Sequence, residues 1–160
     1  SALIARRHFD QVSGFVERAI EAGARPILGG GPNDELGGLY YRPTILVDAQ
    51  PGSEILTEEV FGPVLTIETF SDEAEAIELA NNTRFGLAAT LVTGDRDRAE
   101  RVSAALDAGI VWVNCFFVRD LGAPFGGNNQ SGIGREGGVW SFDFYTNIKN
   151  STFSPTGWKD

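Results

Sequence analysis

The chain has 160 residues with 42% apolar content, enough for one globular domain with a core or for part of a larger one. Its 22 Asp and Glu outnumber 13 Lys and Arg, and the net charge of -9 argues against nucleic acid or an anionic membrane as a partner. One cysteine and one histidine exclude an internal disulfide and disfavour a metal site. We expect a cytoplasmic protein, because the sequence contains neither the roughly 20 apolar residues of a membrane span nor the apolar core of a signal peptide.

The residues before position 70 predict one helix and several short strands. Apolar residues recur every three or four positions from Phe9 to Ile20, the pattern of an amphipathic helix, and Gly23 marks its end. "RPIL" predicts a short strand that leads into a surface loop, "GGGPNDELGG". "YYRPTILVDA" predicts an extended segment, and the alternating, β-branched "VLTIETF" predicts a strand.

Helices and strands alternate in the next part of the chain. A helix is predicted from about Asp72 to Ala80, with Ser71 as a cap-type residue but no full capping box, because Ala74 stands three residues later. "LAATLVT" predicts a strand, "DRDRAERVSAALDAG" a helix with Gly109 beyond its end, and "IVWVNCF" a buried strand that places Cys115 in the core. This alternation predicts an α/β fold with a mostly parallel sheet and helices on its faces.

The segment after Cys115 is glycine-rich and has neither a helical nor a strand period. Such long loops in compact domains are usually functional. The glycines in "PFGG", Gly126 and Gly127, would permit positive φ and close approach of the backbone. "VWSFDFYTNIKNSTF" then predicts a short helix or extended arm that ends in a β-rich tail.

The stretch "EEVFGPVL" is the first candidate site. Gly62 and Pro63 end any helix that enters them and so fix Glu59 and Phe61 at the start of the following strand. Two interpretations follow from the residues alone. Either Glu59 and Phe61 contact a ligand, or Glu58 and Glu59 are solvated charges and Phe61 belongs to the core.

Four segments, "EEVFGPVL", "ANNTRFGLAATLVT", "AGIVWVNC" and "APFGGNNQSGIGREGG", occur in the order and spacing of a known family. Over nearly its whole length the chain resembles the C-terminal part of NAD(P)-dependent aldehyde dehydrogenases. "WVNCFFVRDL", "SGIGREGG" and "SFDFYT" are most similar to the branch that oxidises hydroxymuconic and related semialdehydes. The resemblance implies that residues 1–160 are part of a three-layer αβα catalytic domain. It also implies that residues 147–153 form an oligomerisation arm that adds to a neighbouring subunit's sheet, and hence a homo-oligomer.

The resemblance assigns Glu59 and Phe61 to the cofactor. In the family, the Glu of this motif hydrogen-bonds the ribose hydroxyls beside the nicotinamide of NAD or NADP, and the Phe packs near the same ring. A carboxylate suits this task because it accepts from both hydroxyls through charge-assisted hydrogen bonds.

The resemblance assigns Phe117, Arg119 and Phe125 to the aldehyde substrate. Phe117 and Phe125 shape its pocket, with Phe125 as an aromatic wall. The Arg119 guanidinium matches a substrate carboxylate, and the alternative is a structural pair with Asp120. Gly122 stands where the semialdehyde branch has a second Arg, which favours an aromatic or simpler aldehyde.

The resemblance gives Arg135 and Glu136 a structural role rather than an anion site. The family's nucleotide-binding domain and nucleophilic cysteine precede the matched region, so no residue here is assigned as catalytic. Cys115 lies outside the nucleophile motif and has no base near it in sequence. We therefore expect a fragment that is inactive alone and binds no cofactor alone. The alternatives are a stand-alone structural or interaction module that pairs through "NIKNSTF", and a minimal enzyme that uses Cys115.

Overall fold

The computed structural model describes residues 2–158 and divides into two compact units, which meet in sequence at Arg84 and Phe85. We call residues up to Arg84 unit 1 and residues from Phe85 unit 2, and describe each by itself. Among the described residues, no helix combines the length and apolar character needed to cross a bilayer.

Unit 1 contains three helices and one three-stranded sheet. In chain order these are α1 (Arg6–Glu21), β1 (Arg25–Leu28), β2 (Thr44–Val47), α2 (Glu54–Thr57), β3 (Val64–Ile67) and α3 (Glu73–Asn81). The central strand β2 pairs antiparallel with β1 and parallel with β3. The sheet is therefore mixed.

The core of unit 1 lies along one face of α1. The buried side chains on this helix include Phe9, Val12, Phe15 and Val16, which follow the predicted helical spacing. They pack in two clusters, one of which contains Leu46 of β2. Since each such buried side chain contributes about 1.5–3 kcal/mol, this face is the main source of stability in unit 1.

Unit 2 contains two short strand pairs and two helices. In chain order its elements are β4 (Phe85–Gly86), β5 (Ala88–Leu91), α4 (Arg96–Ala105), β6 (Ile110–Val113), β7 (Asn128–Asn129) and α5 (Trp140–Tyr145). β5 and β6 are parallel, whereas β4 and β7 are antiparallel. Of the described residues in this unit, Val102 is the one hydrophobic side chain in the buried class, and none is fully buried.

The α/β prediction is confirmed. Among the described residues, the strands form several small sheets, mixed, parallel or antiparallel, rather than one continuous sheet. The predicted cap of α3 was wrong by one residue. Asp72 is the N-cap and accepts from the Glu75 amide at 2.9 Å, while the Glu75 carboxylate accepts from the Ser71 amide at 2.7 Å. The Glu75 carboxylate thus accepts from the residue before the N-cap rather than from the N-cap amide, which is a variant of the capping box.

The buried position predicted for Cys115 was wrong. Cys115 is exposed, because β6 ends at Val113 and Asn114 turns the backbone through a positive φ of 54°. Gly109 lies beyond the end of α4, as predicted, although the helix already ends at Ala105 with Leu106 as its C-cap. The predicted β-rich tail forms no strand within this chain, and residues 147–153 are exposed. Their role as an oligomerisation arm stays a prediction.

Candidate functional site

The two adjacent carboxylates of "EEVFGPVL" have different surroundings. α2 ends at Thr57 and leaves Glu58 as its C-cap in extended backbone conformation. The Glu58 carboxylate accepts a hydrogen bond from the Arg84 guanidinium and forms an ion pair with it. Glu59 is exposed and has no side-chain partner in the described part of the chain. Glu59 is therefore the carboxylate that remains able to accept hydrogen bonds from a ligand.

Phe61 is not a core residue. Its side chain is 74% exposed, and its φ of 55° lies in the left-handed region that aromatic residues rarely adopt. Together with Leu3 and Pro63 it lines a shallow cavity of about 470 Å³. The exposed ring argues against the interpretation in which Phe61 only fills the core. Strained backbone of this kind persists where the surrounding structure holds it, often at ligand sites.

Phe117 belongs to an aromatic cluster on the loop after β6. Trp112, Phe116 and Phe117 lie with their ring centroids 5.7–5.9 Å apart. The Trp112 indole donates to the Val118 carbonyl at 2.8 Å and so closes this loop. Phe117 has a φ of 55°, and its side chain is 64% exposed. The cluster thus presents aromatic surface that this chain leaves uncovered.

Arg119 and Phe125 are in contact. The guanidinium carbon of Arg119 lies 4.2 Å from the Phe125 ring centroid, a cation–π arrangement. One guanidinium nitrogen donates to Glu136 Oε1 at 2.5 Å. Glu136 and Phe125 also exchange two backbone hydrogen bonds of 2.7 and 2.8 Å. Arg119 therefore pairs with Glu136 rather than with the adjacent Asp120 that the sequence suggested.

A polar network holds the glycine-rich segment. Arg135 donates to the carbonyls of Gly127 and Gly134 and to Asn128 Oδ1. The amides of Asn128 and Asn129 donate to the two oxygens of Asp107 at 3.0 and 2.7 Å. These two hydrogen bonds lower the pKa of Asp107, and the bond from Asn129 has the larger effect. The donors of Arg135 are thus directed at the protein itself, in keeping with the structural role expected for it.

Close backbone approach at "PFGG" is confirmed, but the expected positive φ was wrong. Neither Gly126 nor Gly127 has positive φ. A Cβ on Gly126 would lie 2.7 Å from the Gly134 carbonyl oxygen, and one on Gly109 would lie 1.8 Å from the Gly126 oxygen. These glycines are needed for space rather than for a left-handed turn.

Sequence reasoning missed His8. Its Nε2 lies 2.6 Å from the Phe61 carbonyl oxygen, although 53 residues separate the two in the chain. It also missed Glu136 as the partner of Arg119, and the Asp107 network. No local pattern signals these contacts, because each joins residues from distant parts of the sequence. Within the described residues, no group of three or more His, Cys, Asp or Glu side chains could hold a metal ion.

Comparison with known families adds the decisive observation. A family model described as the aldehyde dehydrogenase family matches residues 1–151. The chain belongs to the aldehyde dehydrogenase family. It is 48% identical over 152 residues to a 2-hydroxymuconic semialdehyde dehydrogenase of a Pseudomonas species, covering 92% of this chain and 31% of that protein. It is 43% identical to the human 2-aminomuconic semialdehyde dehydrogenase, covering 94% of this chain and 32% of the relative. The resemblance to this family and branch is confirmed.

Solved aldehyde dehydrogenase structures share this fold. An indole-3-acetaldehyde dehydrogenase of P. syringae, in complex with NAD+ and IAA, superposes with a TM-score of 0.85 at 41% identity over 92% of this chain. A Staphylococcus aureus betaine aldehyde dehydrogenase in complex with NAD+ gives a TM-score of 0.84 at 38% identity over 90% of this chain. The aldehyde dehydrogenase chain described here spans about 30% of the length of these proteins.

Proposed function

We propose that this chain supplies the ribose contact for the cofactor and part of the aldehyde pocket of an NAD(P)-dependent aldehyde dehydrogenase. The observation that carries the proposal is the difference between the two adjacent carboxylates. Glu58 is paired with Arg84, whereas Glu59 is exposed and unpaired among the described residues. A free carboxylate beside an exposed aromatic ring fits a ribose that carries a nicotinamide.

Glu59 accepts hydrogen bonds from the two ribose hydroxyls, and Phe61 packs near the nicotinamide ring. When bound, NAD(P) supplies the hydride acceptor for aldehyde oxidation. The residues of this chain act only on its position, since a small displacement of the reacting ring lowers the rate. Two relatives with solved structures are complexes with NAD+, which supports a nicotinamide dinucleotide as the ligand.

Phe117, Arg119 and Phe125 form part of the wall of the aldehyde pocket. The 48% identity to a 2-hydroxymuconic semialdehyde dehydrogenase supports a semialdehyde as substrate. Arg119 is the group able to hold its second polar end, and Glu136 already occupies one of its donors. A substrate carboxylate therefore either shares the Arg119 guanidinium with Glu136 or displaces Glu136 from it. Gly122 supplies no second guanidinium here, so we propose that one arginine serves this end of the pocket.

Replacing Glu59 with Gln tests the cofactor assignment in the full-length enzyme. Glu59→Gln weakens a charge-assisted hydrogen bond, which is worth about 1.5–3 kcal/mol, so hydride transfer should slow about 10- to 100-fold. Affinity at the adenosine end should change little. The measurement is stopped-flow NADH formation. The matched control is Glu58→Gln, which breaks only the pair with Arg84 and should leave the rate within about twofold. Equal rates for wild type and Glu59→Gln would reject the ribose contact.

The chain alone should not oxidise aldehydes, because none of its residues corresponds to the family's nucleophile and Cys115 lies on an exposed loop. An assay with a fluorogenic aldehyde and NAD tests this expectation. Turnover that persists through purification and disappears in Cys115→Ala would contradict it. We also propose a cytoplasmic location and, on the basis of the net charge of -9, no nucleic-acid or anionic-membrane partner.

The second candidate function is an interaction module. Its support is the exposed segment 147–153, which forms no strand with this chain and is free to pair with another. Size-exclusion chromatography of the chain, with and without this segment, separates the two candidates. Two results together would favour the module. The mass of the chain would depend on residues 147–153, and Glu59→Gln would have no kinetic effect in the full-length enzyme.

A further inference from the structure

The turn that carries Phe61 is attached to α1 by two contacts. His8 Nε2 lies 2.6 Å from the Phe61 carbonyl oxygen, a short hydrogen bond in which the ring nitrogen donates. The next residue, Gly62, packs so closely on the helix that a Cβ there would lie 2.8 Å from Val12 Cγ2. His8 and Val12 are four residues apart on one helical face. One face of α1 therefore contacts two consecutive residues of the cofactor motif.

This attachment lies at a strained residue. Phe61 has a φ of 55°, a conformation that costs a bulky side chain free energy and persists only when neighbouring contacts hold it. Its carbonyl is bound to the helix while its ring is 74% exposed. The His8 ring lies 6.2 Å from the Phe61 ring, with 56° between their planes. Both the carbonyl and the ring of Phe61 are thus next to His8.

The histidine ring has little freedom to take another role. The Phe61 carbonyl can only accept, so Nε2 carries the proton in this contact. Nδ1 is buried and has no hydrogen-bond partner among the described residues. A flip of the ring would leave the Phe61 carbonyl without this donor. The arrangement therefore requires a proton on Nε2 and this one orientation of the ring.

We propose that His8 is a positioning residue, which holds the Phe61 carbonyl and thereby directs the Phe61 ring toward the nicotinamide. The proposal rests on the proposed cofactor role of Phe61. His8 does not touch the cofactor in this proposal and acts only through Phe61. Loss of the Nε2 donor should let the strained turn relax, so that the ring occupies its position in only part of the molecules.

The first measurement is NMR on the 160-residue chain, in which His8 is the only histidine. Selective 15N labelling of histidine should give one ring with the Nε2-protonated signature. His8→Leu should shift the Phe61 amide and ring resonances while the α1 residues beyond Val12 stay unchanged. His8→Gln, whose amide nitrogen has a similar reach, should restore them. His8→Asn is the matched control, because its amide is too short to reach the carbonyl.

The second measurement is transient NADH formation in the full-length enzyme. Loss of one neutral hydrogen bond predicts that His8→Leu and His8→Asn slow hydride transfer about 2- to 10-fold, with His8→Gln within about twofold of wild type. Affinity for the adenosine end of the cofactor should not change. Rescue by Gln but not by Asn supports positioning through the Nε2 donor. A purely structural role for His8 would not produce this difference between Gln and Asn.

The two ideas fail in different ways. If Glu59→Gln and Phe61→Leu slow hydride transfer but His8→Leu does not, the positioning role of His8 is overturned and the cofactor site stands. If neither Glu59→Gln nor Phe61→Leu affects hydride transfer, the proposed function is wrong, and with it the role of His8 in catalysis. Unchanged Phe61 resonances in His8→Leu would overturn the attachment itself, whatever the kinetics.

Discussion

Unit 1 and unit 2 maintain their structures by different means. In unit 1, the buried face of α1 packs with Leu46 of β2. In unit 2, Val102 is the one buried hydrophobic side chain among the described residues, and the glycine-rich segment is held by backbone contacts and by the Arg135 network. The proposed cofactor residues Glu59 and Phe61 thus lie on a packed support. The proposed substrate residues lie on polypeptide whose aromatic side chains have little cover within the described part of the chain.

The largest expected effect of this difference is self-association through unit 2. Large exposed apolar patches mark interaction surfaces, and Phe116, Phe117, Val118 and Leu121 are each at least 64% exposed. We expect a dimer with a dissociation constant in the micromolar range, about 8 kcal/mol of association free energy. The net charge of -9 slows this association but is screened beyond roughly 8–10 Å at ordinary salt. Light scattering at micromolar concentration gives the mass.

Variants locate the associating surface. Phe116→Ser with Val118→Ser should shift the mass toward the monomer, and deletion of residues 147–160 should do so as well. Phe70→Ser is the control, because Phe70 is 61% exposed but belongs to unit 1. A monomer mass for the unmodified chain, or equal loss of association in the Phe70→Ser control, would remove the contrast between the units.

A smaller effect is expected from adding one methyl group to a glycine in unit 2. In Gly109→Ala, the Cβ would lie 1.8 Å from the Gly126 backbone oxygen, so the two backbone segments must separate. We expect a loss of about 1–3 kcal/mol in the free energy of unfolding. Gly94→Ala is the matched control in the same unit, with nothing within 4 Å of its added Cβ, and should change stability by less than about 1 kcal/mol.

The corresponding substitution in unit 1 sharpens the comparison. The Cβ of Gly62→Ala meets Val12 side-chain carbons at 2.8 and 2.9 Å, and a side chain yields more easily than backbone. Urea unfolding should therefore rank Gly109→Ala as more destabilising than Gly62→Ala. The reverse order would mean that the Val12 contact in unit 1 tolerates an added methyl group less well than the backbone contact in unit 2 does.

The same difference explains how far the sequence could predict the fold. The helical period from Phe9 to Ile20 predicts α1 and its buried face, because packing there repeats the local pattern. α2 was missed, since its four residues are too few to show a period. The exposure of Cys115 follows from the positive φ of Asn114, which no sequence period records.

For the candidate site, the sequence could nominate residues but could not predict how their side chains pair. The family motifs nominate Glu59, Phe61, Phe117, Arg119 and Phe125, whose roles stay predictions, and the exposed Phe61 ring is compatible with a ligand contact. Apart from the family resemblance, residue spacing could not separate Glu58 from Glu59, because the difference in their surroundings depends on Arg84, 26 residues away. Nor could it pair Arg119 with Glu136, 17 residues later, in preference to the adjacent Asp120. Local spacing carries no information on contacts that only the folded chain creates.

The smallest expected effect compares one acidic residue in each unit under acid. Hydrogen bonds lower the pKa of both carboxyl groups. In unit 1, the Ser71 side chain and, to a smaller extent, the Ser71 amide donate to Glu75. In unit 2, the side chains of Asn129 and Asn128 donate to Asp107. A lowered folded-state pKa gives stabilisation that is present above the unfolded pKa and lost as pH falls through the folded value. The ordinary values are 4.5 for Glu75 and 3.8 for Asp107, so both contributions should disappear below these values.

The consequences of this loss should differ between the units. Protonated Glu75 weakens only the first turn of α3, whereas protonated Asp107 releases two residues of the glycine-rich segment beside Arg135. Since both carboxylates are solvent-accessible and screened, the effect on stability is small and is best followed by NMR. The side-chain amide signals of Asn128 and Asn129 should titrate with a midpoint below 3.8. Asp107→Asn, which cannot ionise, should abolish that titration and leave the Glu75 transition in place. A midpoint at or above 3.8 would show that these hydrogen bonds do not stabilise the carboxylate, and the polar network would no longer account for the order of unit 2.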